Sequence, residues 1–204
     1  MIDTLIENIK KKINLTLDET EQLFDKIFNG EVNTNSLTSL LDALDKKGET
    51  PDELAGATTS MRKNSKSIDV NHNQVIDCCG TGGLGKKMIN VSTSVSFVLA
   101  AAGLKVAKHG NRTATGKSGS ADFLEAAGIN LNKSSEYFSD SLDKIGLGFL
   151  FAQNHHPGMK YVMEARKILG KKTIFNLLGP LSNPAGANIQ SIGVFHTKWI
   201  KSSL

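Results

Sequence analysis

The short run Gln74-Val-Ile-Asp77 leads into four glycines within six positions, Gly80-Thr-Gly-Gly-Leu-Gly85, followed by Lys86 and Lys87. No other stretch constrains the fold as much. Gln74 to Asp77 reads as a strand and residues 80–85 as a loop. A helix follows from about Ser92 to Ala102, closed by Gly103, and Leu104 to Ala107 reads as a second strand. Strand, loop, helix and strand in that order form the βαβ unit of a parallel sheet, so this part of the chain is expected to be α/β. The pattern continues with helices over Ser120–Ala127 and Ser135–Lys144, a strand over Phe149–Ala152, a helix over Met159–Leu169 and a strand over Ile189–Phe195. His196 to Leu204 reads as the start of one more helix.

Composition sets this part apart from what precedes it. Of the 19 glycines, 16 follow residue 65. Residues 1–65 carry 8 basic and 12 acidic side chains, and residues 66–204 carry 16 and 8. The overall charge of +4 therefore hides a net of −4 followed by a net of +8. The acidic part reads as short helices. Thr16-Leu-Asp-Glu19 is a capping box opening a helix through Phe28. Residues 35–47 place Leu37, Leu40, Leu41 and Leu44 on one face. Thr50-Pro51-Asp-Glu53 opens a helix that ends near Asn64. The expected organisation is a small helical domain over 1–65, suited to packing or subunit contact, and a larger α/β domain over 66–204. No apolar run approaches the roughly 20 residues of a membrane span. The N-terminus, with Asp3 and Glu7 among its first residues, does not read as a signal peptide. Adjacent Cys78 and Cys79 suit neither a disulfide nor a zinc pair. They read as reduced, buried residues of a cytoplasmic protein.

The glycine loop satisfies two patterns. Gly80, Gly82 and Gly85 fit G-x-G-x-x-G, and Gly80, Gly85 and Lys86 fit the start of a P-loop. The P-loop fails at its metal ligand, where Lys87 stands in place of Ser or Thr. The dinucleotide reading fails because no Asp or Glu occurs between Asp77 and Asp122. What both share is a backbone able to approach an anion next to a helix N-terminus. A second segment of the same character is Lys108-His-Gly-Asn-Arg-Thr-Ala-Thr-Gly-Lys-Ser-Gly-Ser-Ala-Asp122, expected as a loop after the second strand. Both loops leave the carboxyl ends of parallel strands, where ligands bind. Together they suit a ligand with two separated phosphate groups.

Asp77-Cys-Cys-Gly-Thr-Gly-Gly83, Asn90-Val-Ser-Thr93, Lys108-His-Gly-Asn-Arg112 with Ser118-Gly-Ser-Ala-Asp122, and Phe149-Leu-Phe-Ala152 through His156-Pro157 resemble anthranilate phosphoribosyltransferase. Arg166-Lys-Ile-Leu-Gly170 and Thr173-Ile-Phe-Asn-Leu-Leu-Gly-Pro-Leu-Ser-Asn-Pro184 continue the resemblance. It implies a helical domain, a homodimer formed through it, and a nucleoside phosphorylase/phosphoribosyltransferase-like α/β domain. The implied reaction, the second step from chorismate to tryptophan, moves phosphoribose from phosphoribosyl pyrophosphate (PRPP) to the amine of anthranilate with Mg²⁺. Gly80, Gly83, Asn90, Val91, Ser92 and Thr93 would cradle PRPP, with Ser92 a magnesium ligand. Lys108, His109, Gly110, Asn111, Arg112, Thr113, Ala114, Thr115, Gly116 and Ser120 would form the other wall. Gly80, Asn111, His156, Arg166 and Pro180 would meet anthranilate, Arg166 by pairing its planar fork with the carboxylate.

The sequence departs from that family's pattern at Leu84, where an Asp is usual, and at Met88, where a small hydroxyl is usual. The family's chains are also longer and carry a downstream Asp-Glu pair for a second magnesium, so the α/β domain is expected to be incomplete at Leu204. A non-catalytic paralogue that binds nucleic acid through the basic half is the alternative. It has no need of Asn111 and Arg166, which argues against nucleic acid as a partner. A pyrimidine nucleoside phosphorylase is disfavoured by the full Lys108–Arg112 stretch. These departures predict that phosphoribosyl transfer by the 204-residue chain alone is weak or absent. A steady-state assay with PRPP, anthranilate and Mg²⁺ checks this, and turnover at the family's usual level would refute it.

Overall fold

The structure is a computed structural model and describes residues 2–82, 89–113 and 118–200. Gly83, Leu84, Met88, Ala114, Thr115 and Gly116 lie outside the described residues. The chain divides into two compact units. One comprises Met1–Ser65, His156–Ser182 and His196–Leu204, and the other Lys66–His155 and Asn183–Phe195.

The first unit is helical. Its N-terminal segment forms α1 (Ile2–Lys10), α2 (Leu17–Phe28), α3 (Thr34–Lys47) and α4 (Pro51–Lys63). Both sequence-read capping boxes are present. The Thr16 and Thr50 amides donate to Glu19 and Glu53 at 2.9 Å each, and the threonine hydroxyls accept from the Glu19 and Glu53 amides. Glu53 does more than cap. Its side chain is fully buried and also accepts from the Leu15 amide at 3.0 Å and the Lys47 ammonium at 2.8 Å. Lys47, itself 4% exposed, completes its donors on Asn14 and the Gly48 carbonyl. At Gly56 a Cβ would lie 2.3 Å from the Leu17 carbonyl oxygen, so a glycine is what lets α4 close on α2.

The same unit takes in a later part of the chain. The sequence reads as one helix over Met159–Leu169. The chain instead makes a 3-10 turn over Pro157–Tyr161 and then α9 (Met163–Leu169), numbered after the elements of the second unit. Pro157 fits the tighter first turn, and Val162 separates the two segments. A further helix, α10 (Ile174–Leu181), is absent from the sequence reading, and it contains Gly179-Pro180, a local helix-breaking signal. Burial overrides that local signal: Ile174, Phe175, Leu177 and Leu178 are all buried. Phe175 packs against Phe24 and Phe28 of α2 in tilted and edge-to-face contacts, at centroid distances of 5.7 and 6.1 Å. Lys171, just before α10, pairs with Asp42 and Asp45 of α3 at 2.7 Å each. The expected last helix is represented among the described residues by a 3-10 turn over Thr197–Trp199.

The second unit holds β1 (Ile76–Gly80), α5 (Val91–Ala101), β2 (Val106–Gly110), α6 (Ser120–Ala126), α7 (Ser135–Ile145), β3 (Leu147–Phe151), the single turn α8 (Ala152–His155) and β4 (Ile189–Gly193). The sheet is parallel with order β3-β2-β1-β4. The strands are shifted from the sequence reading. β1 runs through both cysteines to Gly80, because each of its five residues pairs with β4, from Ile76↔Ile189 to Gly80↔Gly193. β2 runs on through Lys108 and His109 to Gly110, because it pairs residue for residue with β3. Pairing on a neighbour outweighs the low strand propensity of glycine. Ile68, Val75, Ala107, Phe138, Leu142, Leu150, Ala185 and Ala187 form its core. Lys105 caps the end of α7 by donating to the Leu142 and Asp143 carbonyls. Cys78 is buried, but Cys79 is only half-buried, which corrects the expectation that both are buried; both thiols are free.

The Glu53 network gives a direct stability test. Glu53→Ala strands a buried ammonium and two amides, and is expected to cost about 3–5 kcal/mol. Urea unfolding with an unchanged slope checks this, and a loss below about 1 kcal/mol would contradict the network's importance.

Candidate functional site

Two loops leave the carboxyl ends of β1 and β2, and the structure joins them. After Gly80, the Thr81 amide donates to the Gly193 carbonyl at 2.9 Å, and the Thr81 hydroxyl accepts from the Phe195 amide at 3.1 Å. This ties the end of β1 to the end of β4. Gly82 has φ +67°, the left-handed region that favours glycine. At the far end of the first loop Asn90 precedes α5. Its carboxamide does not cap its own helix but reaches the second loop, donating to the Ser118 hydroxyl at 3.0 Å and the Gly119 carbonyl at 3.3 Å. Asn90 thus ties the start of α5 to the residues that precede α6. The first turn of α5 presents Val91, half-buried Ser92 and buried Thr93. The Thr93 hydroxyl finds no hydrogen-bond partner among the described residues.

The second wall differs from its sequence reading. Lys108, His109 and Gly110, expected on a loop, belong to β2 and are buried. The Lys108 ammonium, 3% exposed, donates to the Cys78 carbonyl at 2.7 Å and the His109 carbonyl at 3.2 Å. The loop begins at Asn111, whose carbonyl accepts from the Ser120 hydroxyl and the Ala121 amide. Arg112, expected on the PRPP wall, directs its guanidinium to both Glu125 oxygens and lies 4.6 Å over the Phe151 ring. Its charge is engaged on the flank of α6.

Asp122 organises this loop, and the sequence reading gave it no role. One of its oxygens accepts from the Thr113 amide at 2.9 Å and the Gly119 amide at 2.7 Å, so a single carboxylate closes the segment between them. These two amides hold the Asp122 carboxyl below the usual carboxylate range. Gly119 has no room for a side chain, since a Cβ would sit 2.5 Å from the Thr113 nitrogen. The sequence signal was available: an acid three residues after a helix-opening glycine is where an N-terminal carboxylate is expected.

Of the residues expected to meet an aromatic acid, Gly80 and Asn111 stand in the α/β unit, and His156, Arg166 and Pro180 in the helical unit. His156 and Pro180 are buried. Arg166, on α9, is half-buried, which draws its pKa down from the ordinary value. Its guanidinium lies 5.9 Å from the Phe175 ring centroid and meets the Asn176 carboxamide oxygen at a long 3.5 Å. Among the described residues no carboxylate pairs with it, whereas Arg112 and Lys171 both hold acids. A partly desolvated guanidinium without an anion is suited to receive one.

For a metal, the described residues offer no group of three or more His, Cys, Asp or Glu placed together. Asp77 is fully buried and Asp122 is engaged by loop amides. The Ser92 hydroxyl, half-buried in the first turn of α5, belongs to the residue that the sequence resemblance implies as a magnesium ligand. That ion keeps most of its waters and takes substrate oxygens readily.

Residues 3–65 match the family described as "Glycosyl transferase family, helical bundle domain", and residues 72–203 match "Glycosyl transferase family, a/b domain". The anthranilate phosphoribosyltransferase of Desulfatibacillum aliphaticivorans is 46% identical over 97% of this chain and 59% of its own length. The crystal structure of anthranilate phosphoribosyltransferase from Thermus thermophilus superposes with a TM-score of 0.92 at 40% identity, over 97% of this chain and 60% of that one. The Saccharomyces cerevisiae anthranilate phosphoribosyltransferase, solved in complex with PRPP and Mg, gives a TM-score of 0.86 at 27% identity, over 98% and 61%. The chain therefore spans about three fifths of the length of these relatives.

The Asp122 clamp predicts that Asp122→Ala removes hydrogen-exchange protection at the Thr113 and Gly119 amides, and that Asp122→Asn retains part of it. With a depressed folded pKa, the clamp is fully present above the unfolded Asp value of about 4 and is lost as pH falls through the lower folded value. Unchanged protection in Asp122→Ala would contradict the assignment.

Proposed function

Because the chain belongs to the glycosyl transferase family, matched through both its helical bundle and its a/b domain, we propose that it binds PRPP in the α/β unit and serves phosphoribosyl transfer to anthranilate. The products would be N-(5-phosphoribosyl)anthranilate and pyrophosphate, in tryptophan biosynthesis. The observation that carries this reading is the Asn90 bridge, which holds two carboxylate-free loops together at the carboxyl ends of β1 and β2. Backbone amides, the α5 N-terminus, Ser92, Thr93, Asn111 and Ser120 supply the donors. The Thr93 hydroxyl, which finds no partner among the described residues, is a further donor. Lys108 and His109 underlie the loops from within β2, and Gly83, Ala114, Thr115 and Gly116 complete the proposed cradle in sequence.

The chemistry asks for electrostatics and positioning. As the bond from the anomeric carbon to pyrophosphate breaks, positive charge grows on the sugar and negative charge on the leaving group. Preorganised donors aimed at the leaving oxygens stabilise it. Magnesium supplies further charge neutralisation when it enters with the diphosphate, and the yeast relative solved with PRPP and Mg supports that choice of ion. The amine of anthranilate is neutral and needs orientation more than a strong base. Arg166 is proposed to fix the anthranilate carboxylate with its fork, with Gly80, Asn111, His156 and Pro180 as further contacts. A cytoplasmic setting fits the free thiols of Cys78 and Cys79. Association as a homodimer through the helical unit rests on the family resemblance.

Calorimetry separates the two halves of this proposal. The chain is expected to bind PRPP only with Mg²⁺ present. Arg166→Ala is expected to weaken anthranilate binding by about 10- to 100-fold, the loss of a charge-assisted pair, with PRPP affinity unchanged. No PRPP binding by the unaltered chain would overturn the first half, and unchanged anthranilate affinity in the variant the second.

A further inference from the structure

β1 and β2 share one register pair, Ile76↔Val106, whereas β1 and β4 share five and β2 and β3 share five. Beyond Ile76 the two strands no longer exchange ladder bonds, yet their facing backbone groups are not left bare. The His109 amide donates to Asp77 Oδ1 at 3.1 Å. The Cys78 and His109 carbonyls both accept from Lys108 Nζ. The Ala107 carbonyl accepts from Asn183 Nδ2 at 2.8 Å. Three side chains, Asp77, Lys108 and Asn183, thus take the places that opposite backbone would fill in a regular parallel pair. All are buried, Asp77 at 0% and Asn183 at 3% exposure. Burial pushes the Asp77 carboxyl above its ordinary range, while Asn183, the Lys108 charge and the His109 amide pull it back.

This insertion lies directly beneath the candidate site. The loop after β1 begins three residues beyond Cys78, and the loop after β2 begins two residues beyond His109. Regular pairing to the ends of both strands would bring the loop origins to the ladder spacing of about 4.8 Å. Asn90 fixes the loops to each other further on. The buried side chains are the corresponding device at their base.

We propose that Asp77 and Lys108 are positioning residues that hold β1 and β2 apart at their carboxyl ends and so set the distance between the two loops that receive PRPP. Asp77 fixes the His109 backbone, and Lys108 links the Cys78 and His109 carbonyls across the gap. The PRPP part of this inference rests on the proposed function, but the spacing of the strands does not.

The test joins a ligand-free and a ligand-bound readout on the full chain. Asp77→Ala is expected to lose hydrogen-exchange protection at the His109 amide and to weaken binding of PRPP with Mg²⁺ about tenfold or more, since small misplacements of binding groups are costly. Asp77→Asn keeps an acceptor for that amide and is expected to restore protection and to bring affinity back to within about threefold of the original. Lys108→Met keeps a long apolar stem and is expected to weaken binding at least as much as Asp77→Ala, and it decides the question if Asp77→Ala does not fold. Affinity within twofold of the original in either folded Asp77→Ala or Lys108→Met overturns the positioning role. So does failure of Asp77→Asn to rescue. If the unaltered chain binds no PRPP, the proposed function fails, and the His109 amide still decides whether Asp77 holds β2.

Discussion

Placing an ammonium inside a parallel sheet costs several kcal/mol of lost hydration, and only well-made hydrogen bonds offset it. Lys108 meets that demand with two carbonyls, one from its own strand and one from β1. The remaining features of the α/β unit follow from this arrangement. A side chain occupying the space between β1 and β2 requires the ladder to stop after Ile76↔Val106. The amide of His109 then needs another acceptor, which Asp77 supplies, and the Ala107 carbonyl needs another donor, which Asn183 supplies. Beyond the strand ends Asn90 reaches Ser118, and Asp122 accepts from the Thr113 and Gly119 amides.

The helical unit answers a different requirement. The proposed role of Arg166 asks for a guanidinium that is held without being neutralised. The support runs from Phe24 and Phe28 of α2 to Phe175 of α10, whose ring faces the guanidinium, while Asn176 gives it one long contact. Neither partner is an anion. The N-terminal helices thus pack the later helix that carries Phe175 and Asn176.

Local chemistry was legible wherever it decided the structure. Thr16 with Glu19 and Thr50 with Glu53 cap the helices that their spacing announced, and the change in glycine and charge content after residue 65 marks a crossing between the units. What escaped sequence reading depends on distant partners. β1 extends through Cys78 to Gly80 because β4, more than 100 residues later, lies along it. α10 forms despite Gly179-Pro180 because its apolar face is buried. Lys108 looked like a loop cation ready for phosphate because a charged residue seldom sits in a central strand, and nothing in its neighbours indicates the Cys78 carbonyl thirty residues away. Arg112 likewise gave no sign that Glu125 would engage it. The role of Asp77 could have been suspected from an acid inside an apolar strand segment, a costly placement that a buried partner must offset.

The proposed PRPP cradle is made of two loops, joined through Asn90 and based on strands that Asp77 and Lys108 are proposed to space. Residue-resolved amide shifts on titration with PRPP and Mg²⁺ address it most directly. Shifts are expected to concentrate in Gly80–Gly82, Asn90–Thr93 and Asn111–Ser120, with His109 responding near the end of β2. Shifts confined to other parts of the chain, or their absence at saturating ligand, would contradict it.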